Sequence, residues 1–153
     1  MKHGFKSARE ACEHVLDQTG NALLSGDFEA FAACFTLPTK VETFEGARIL
    51  TSRDALRDAF HGVCAHYLSV GATDLVRHIV AAEFVDTNTI RATHECRVLA
   101  NAKLTQAPYA VHSTYVFENK HWKVAESIYI VDDAPIYTRS LSKGYSRKIR
   151  ILE

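Results

Sequence analysis

The chain has 153 residues, 47% of them apolar and 24% charged, with 18 Lys plus Arg against 18 Asp plus Glu. That length and composition suit one soluble domain with its own core and exclude extensive disorder. A formal net charge of zero leaves no field to draw nucleic acid or an anionic membrane, and no apolar run approaches the roughly 20 residues that cross a bilayer.

The start, Met1-Lys2-His3-Gly4-Phe5-Lys6, is basic but has no apolar segment behind it. It therefore predicts no secretory signal and a cytoplasmic location. From Ser7 to Leu24 the residues Ala8, Ala11, Cys12, Val15, Leu16, Ala22 and Leu23 recur at helical spacing. Ser25-Gly26-Asp27 stops that helix, with Asp27 placed to cap a second, short one. Phe28, Phe31, Ala32 and Phe35 give the second helix a single apolar stripe, which must pack on a core.

After Leu37-Pro38 the period changes to that of a strand. Thr39–Thr43 and Arg48–Leu50 read as strands about a Glu45-Gly46 turn. Thr51 or Ser52 caps a third helix whose buried face carries Ala55, Leu56, Ala59, Phe60, Val63, Cys64 and Tyr67, ending near Val70-Gly71. A meander follows, with strands predicted over Asp74–Val85, Asn88–Ala102, Tyr109–Glu118 and His121–Val131. The expected organisation is one domain over 1–131, then a basic extension over 132–153 carrying Arg139, Lys143, Arg147, Lys148 and Arg150. Cys12, Cys34, Cys64 and Cys96 stand among apolar neighbours without C-x-x-C spacing, so buried reduced thiols are expected rather than disulfides or zinc ligands.

Helix, short helix, hairpin, helix, then an antiparallel meander resembles the nuclear transport factor 2-like superfamily, in particular its SnoaL-like branch. Three segments carry the resemblance. Ser25-Gly26-Asp27-Phe28-Glu29-Ala30-Phe31 looks like its helix-breaking step, Ser52-Arg53-Asp54-Ala55-Leu56-Arg57-Asp58-Ala59-Phe60 like the opening of its third helix, and Trp122-Lys123-Val124 like the start of its last strand. The resemblance implies an α+β, cone-shaped fold in which three N-terminal helices pack on a curved, mostly antiparallel sheet around a pocket. It also implies a homodimer formed through the sheet. Ketosteroid isomerase, in the same superfamily, carries a tyrosine and two acids where this chain has Thr19, Thr43 and Ser113. The comparison implies that its reaction is missing here, and it marks those three positions as pocket-facing.

Strand faces alternate, so one anchor orients the sheet. With Trp122 inward, Val124, Glu126, Ile128 and Ile130 share its face. A two-residue turn at Asn119-Lys120 then places Tyr109, Val111, Ser113, Tyr115 and Phe117 inward on the strand before. Ile90, Ala92, His94, Cys96 and Val98 form the apolar face of the next strand, and Val76, His78, Val80, Ala82 and Phe84 that of the first. His78, Cys96, Ser113 and Glu126 fall roughly in one row, and an inward carboxylate needs a partner or a wet pocket.

The leading expectation is a pocket for a small, largely apolar molecule. Its polar contacts would come from His94, His78, Tyr115 and Glu126, with Cys96, Ser113, Trp122, Thr43 and Thr19 completing the lining. The alternative is a cofactor-independent isomerase, cyclase or lyase in which Glu126 and His94 are the candidate catalytic pair shuttling a proton. A third possibility is a non-catalytic structural subunit with a filled pocket. A metal triad of His78, His94 and Glu126 would draw its ligands from three strands with no local signature and ranks below these readings, so no cofactor is expected.

Overall fold

The computed structural model describes residues 2–43 and 45–130. The basic extension expected over 132–153 lies outside the described residues. In chain order the elements are α1 (Ala8–Ser25), α2 (Phe28–Ala32), β1 (Phe35–Thr43), β2 (Gly46–Leu50), α3 (Arg53–Ser69), β3 (Asp74–Asp86), β4 (Thr89–Ala100), β5 (Lys103–Leu104), β6 (Tyr109–Glu118) and β7 (His121–Ile130). No helix among the described residues is long and apolar enough to cross a membrane.

Each helix starts on a side-chain cap. Ser7 Oγ accepts from the Glu10 amide, Asp27 Oδ1 from Ala30 and Ser52 Oγ from Ala55, each at 3.1 Å. Gly26 ends α1 in the left-handed region, with φ of 73°, and turns the chain directly into Asp27. α2 has only five residues and is held by this cap, by its apolar stripe and by α3, from which Arg53 pairs with Glu29 and Arg53 and Arg57 lie over the Phe28 ring. Asp27→Ala is expected to cost about 1 kcal/mol in urea denaturation, with the dependence on urea unchanged. An unaltered midpoint would show the cap to be idle.

The strands form one sheet in the order β2-β1-β7-β6-β4-β3, with β5 paired to β4. All pairs are antiparallel except β1 with β7. The three helices lie on one face of this sheet. There Phe60 packs between Phe28 and Phe31, at ring-centroid distances of 5.5 and 4.8 Å, over Val98 and Val111. A second cluster gathers Cys12, Val15, Ile79, Ile90, Tyr115 and Trp122 under the start of α1. None of the four cysteines is in a disulfide, and only Cys64 is less than fully buried. The Asn119-Lys120 turn has both residues at positive φ, as a two-residue hairpin turn requires.

β1, β3 and β7 depart from strict pairing, β1 between Phe35 and Lys40, β3 at Val80 and again at Val85, and β7 at Ala125. β3 pairs with β4 as far as Ile79 opposite His94, skips Val80, and resumes with Ala81 opposite Thr93. β7 pairs Val124 with Tyr115, skips Ala125, and resumes with Glu126 opposite Thr114. Each skipped residue is a bulge, and each bulge exchanges the two faces of its strand beyond that point.

Candidate functional site

β4 and the inner part of β6 run without interruption, so their inward residues are the expected ones. Ile90, Ala92, His94, Cys96 and Val98 are buried on β4, and Tyr109, Val111, Ser113 and Tyr115 on β6. The bulges change what their neighbours supply. On β3, Leu75, Arg77 and Ile79 face inward before Val80, and Ala82 and Phe84 after it. His78, Val76 and Val80 are therefore on the outer face, which corrects their expected placement. On β7, Trp122 and Val124 point inward as expected, but beyond Ala125 the inward residues are Ser127 and Tyr129.

Glu126 is the principal correction. It stands on the outer face beside Ile128 and Ile130, not in the core. There Lys40 Nζ lies 3.5 Å from its Oε2, and Thr114 Oγ1 donates to its Oε1 at 3.4 Å. Unbroken alternation would have carried this carboxylate into an apolar interior at a cost of several kcal/mol, and the bulge at Ala125 removes that cost. The expected row of His78, Cys96, Ser113 and Glu126 does not form. Cys96 pairs instead with Arg77 and Tyr109, and Ser113 with Ala92 and Ser127. Glu126 and His94 face opposite sides of the sheet and cannot exchange a proton, and His78, His94 and Glu126 do not converge.

Between the inner face and the helices lies a cavity of about 50 Å³. Of the expected site residues, His94, Cys96, Ser113, Tyr115 and Thr19 line it, while Trp122 and Thr43 do not. Trp122 packs instead against Phe117 and Phe84, and Thr43 accepts the Glu45 amide at the hairpin turn, 3.2 Å away. The Thr19 hydroxyl is turned back onto the Leu16 carbonyl at 3.1 Å.

Two polar atoms in this lining are buried without a hydrogen-bond partner, Nδ1 of His94 and the hydroxyl of Tyr115. Burial, with Arg77 and His112 adding to it, pushes the His94 pKa down to about 3, so the imidazole is neutral at physiological pH. Burial likewise raises the Tyr115 phenol and the Cys96 thiol, which makes Cys96 a packing group rather than a thiolate.

Arg77 was not anticipated, and neither was Tyr129. The guanidinium enters the cavity wall from β3, and its Nη2 donates to the Leu16 carbonyl at 2.8 Å. Gly20 makes room for it, since a Cβ there would lie 2.6 Å from Nη2. A trace of this was present in the sequence, because Leu75, Arg77 and Ile79 form a second period-two set beside the one chosen.

No family model matches the chain, and no curated protein sequence matches it. Solved structures do. A domain of unknown function with a cystatin-like fold from Nostoc punctiforme aligns at 20% identity and TM-score 0.63, over 97% of this chain and 95% of that one. A nuclear transport factor 2-like protein of unknown function from Shewanella oneidensis aligns at 9% identity and TM-score 0.58, over 79% and 97%. A scytalone dehydratase candidate from Novosphingobium aromaticivorans aligns at 16% identity and TM-score 0.56, over 78% and 80%. The chain thus has the nuclear transport factor 2-like, or cystatin-like, fold. At these identities the likeness concerns fold alone.

Proposed function

We propose that the protein binds a small, largely apolar molecule in the cavity between the sheet and the helices. One observation carries this reading: the Tyr115 hydroxyl and His94 Nδ1 line the same cavity, both buried and both without partners. Each such group costs about 1–3 kcal/mol when left unsatisfied, and a ligand that meets both recovers that energy. The cavity holds one or two waters as it stands, at about 30 Å³ each, so the ligand enters by displacing side chains. That small size is also what favours the second reading, a structural subunit whose pocket is filled. The outer sheet face, where Val76, Val80 and Ile130 are exposed, supports a homodimer formed through it.

A thermal-shift screen of small cyclic and aromatic molecules tests this function. Tyr115→Phe is expected to raise the stability of the unliganded protein by about 1 kcal/mol, because it deletes an unsatisfied hydroxyl. The same variant should weaken any ligand found by roughly tenfold. If nothing shifts the wild-type protein while Tyr115→Phe is simply more stable, the filled-pocket reading stands and this one falls.

A further inference from the structure

The outer face of the sheet carries its charge in an ordered row. Glu83 on β3 stands opposite Arg91 on β4, Arg91 opposite Thr114 on β6, Thr114 opposite Glu126 on β7, and Glu126 opposite Lys40 on β1. Across these neighbouring strands the signs run minus, plus, neutral, minus, plus. The row is therefore antisymmetric about Thr114, with opposite charges at equal distances on its two sides. Lys40 and Glu126 already pair within the chain, Nζ lying 3.5 Å from Oε2. Arg91 and Glu83 are exposed and make no ion pair among the described residues, although they stand opposite each other. Glu83, Arg91, Thr114 and Glu126 also line an open depression of about 610 Å³ on this face, which leaves room for long side chains from outside.

We propose, building on the reading of this face as a homodimer surface, that two copies meet here about a two-fold axis running along β6 through Thr114. Such an axis reverses the order of the strands, so that β4 lies over the partner's β7 and β3 over the partner's β1. Arg91 then meets the partner's Glu126, and Glu83 meets the partner's Lys40, each contact occurring twice by symmetry. The two side chains left unpaired in one copy thus complete the ion pair already formed in the other. Aligned sheets pack about 10 Å apart, within reach of these long side chains from both sides. An axis across the strands would instead set every residue of the row on its own copy, arginine on arginine and glutamate on glutamate, which is repulsive. Thr114, small and uncharged, is the residue of the row that can face itself. The next row, Ala81, Thr93, His112, Ile128 and Glu42, holds a single acid, so the reversal brings no two carboxylates together there. A formal net charge of zero adds no general repulsion between copies.

Sedimentation equilibrium on the wild-type protein, on Arg91→Glu, on Glu126→Arg and on an equimolar mixture of the two variants tests this. Each variant alone sets like charges together at two contacts and is expected to dimerise at least tenfold more weakly than the wild-type protein. The mixture should form a heterodimer about as tight as the wild-type dimer, because one copy of each restores opposite charges at both contacts. A wild-type dimer unaffected by Arg91→Glu, or a mixture no tighter than its components, would overturn this arrangement and leave a homodimer of another register. A wild-type protein that stays monomeric removes both. Arg91 has no ion-pair partner to lose within its own chain, so Arg91→Glu decides the matter alone if Glu126→Arg does not fold.

Discussion

Acidification from pH 7 to pH 4 is expected to cost the folded protein about 3 kcal/mol through His94 alone. The residue is 6% exposed, and its pKa is pushed from an ordinary 6.5 down to about 3, first by burial and then by Arg77 and His112. The sign follows from where the proton goes. Above pH 6.5 the imidazole is neutral in both states and stability does not depend on it. Below pH 6.5 the unfolded chain takes up a proton that the folded chain refuses until about pH 3, so stability falls with pH across that window. Carboxylates titrate in the same range, and only a difference isolates the histidine. Urea denaturation of the wild-type protein and of His94→Gln at pH 7 and pH 4 gives that difference. The wild-type protein should lose about 3 kcal/mol more than the variant. Parallel losses in the two proteins would mean that His94 reaches solvent or a partner for its charge, and the sealed, neutral imidazole would have to be given up.

The legibility of this chain divides at the bulges at Val80 and Ala125. Elements were readable because helical spacing, caps and turn residues are local signals. The Gly26-Asp27 step, the Ser52 cap and the Asn119-Lys120 turn all act where they stand. The inward face of β4 was readable for a similar reason, since Ile90, Ala92, Cys96 and Val98 alternate with Arg91, Thr93, Glu95 and Arg97 and nothing interrupts them. β3 offered two apolar sets, Val76 with Val80 and Leu75 with Ile79, so composition could not choose between its faces. Choosing the first set hid Arg77. β7 carried a better warning. The anchor at Trp122 was sound, yet extending it placed an acid in the core, and that implausible cost was itself the sign of a broken register. A bulge has no residue signature when the extra residue is an alanine or a valine. It is set by what the neighbouring strands require, so it appears only when the sheet is assembled. The error in Glu126 and the omission of Tyr129 are thus one event, the insertion of Ala125.

Deleting Ala125 should straighten β7 without exchanging its faces, and it is expected to destabilise the protein by about 1 kcal/mol, through β1. With the extra residue gone, pairing along β6 runs directly from Val124 opposite Tyr115 to Glu126 opposite Thr114, so Glu126 stays outside and Ser127 and Tyr129 stay inside. The carboxylate keeps Lys40 and Thr114 as partners. The cost arises in pairing with β1, because Thr39 Oγ1 donates to the Ala125 carbonyl at 3.2 Å and β1 resumes its register at Lys40 opposite Glu126. Two companion variants separate the contributions. Ala125→Gly keeps the extra residue and should cost no more than about 1 kcal/mol. Adding Glu126→Ser to the deletion should recover nothing, because the carboxylate is on the outer face in both proteins. Chemical denaturation measures all three. A loss of more than about 3 kcal/mol on deletion, recovered in part by Glu126→Ser, would mean that the carboxylate has turned inward. The placement of Glu126 outside and Tyr129 inside would then depend on the extra residue and not on the pairing of Glu126 with Thr114.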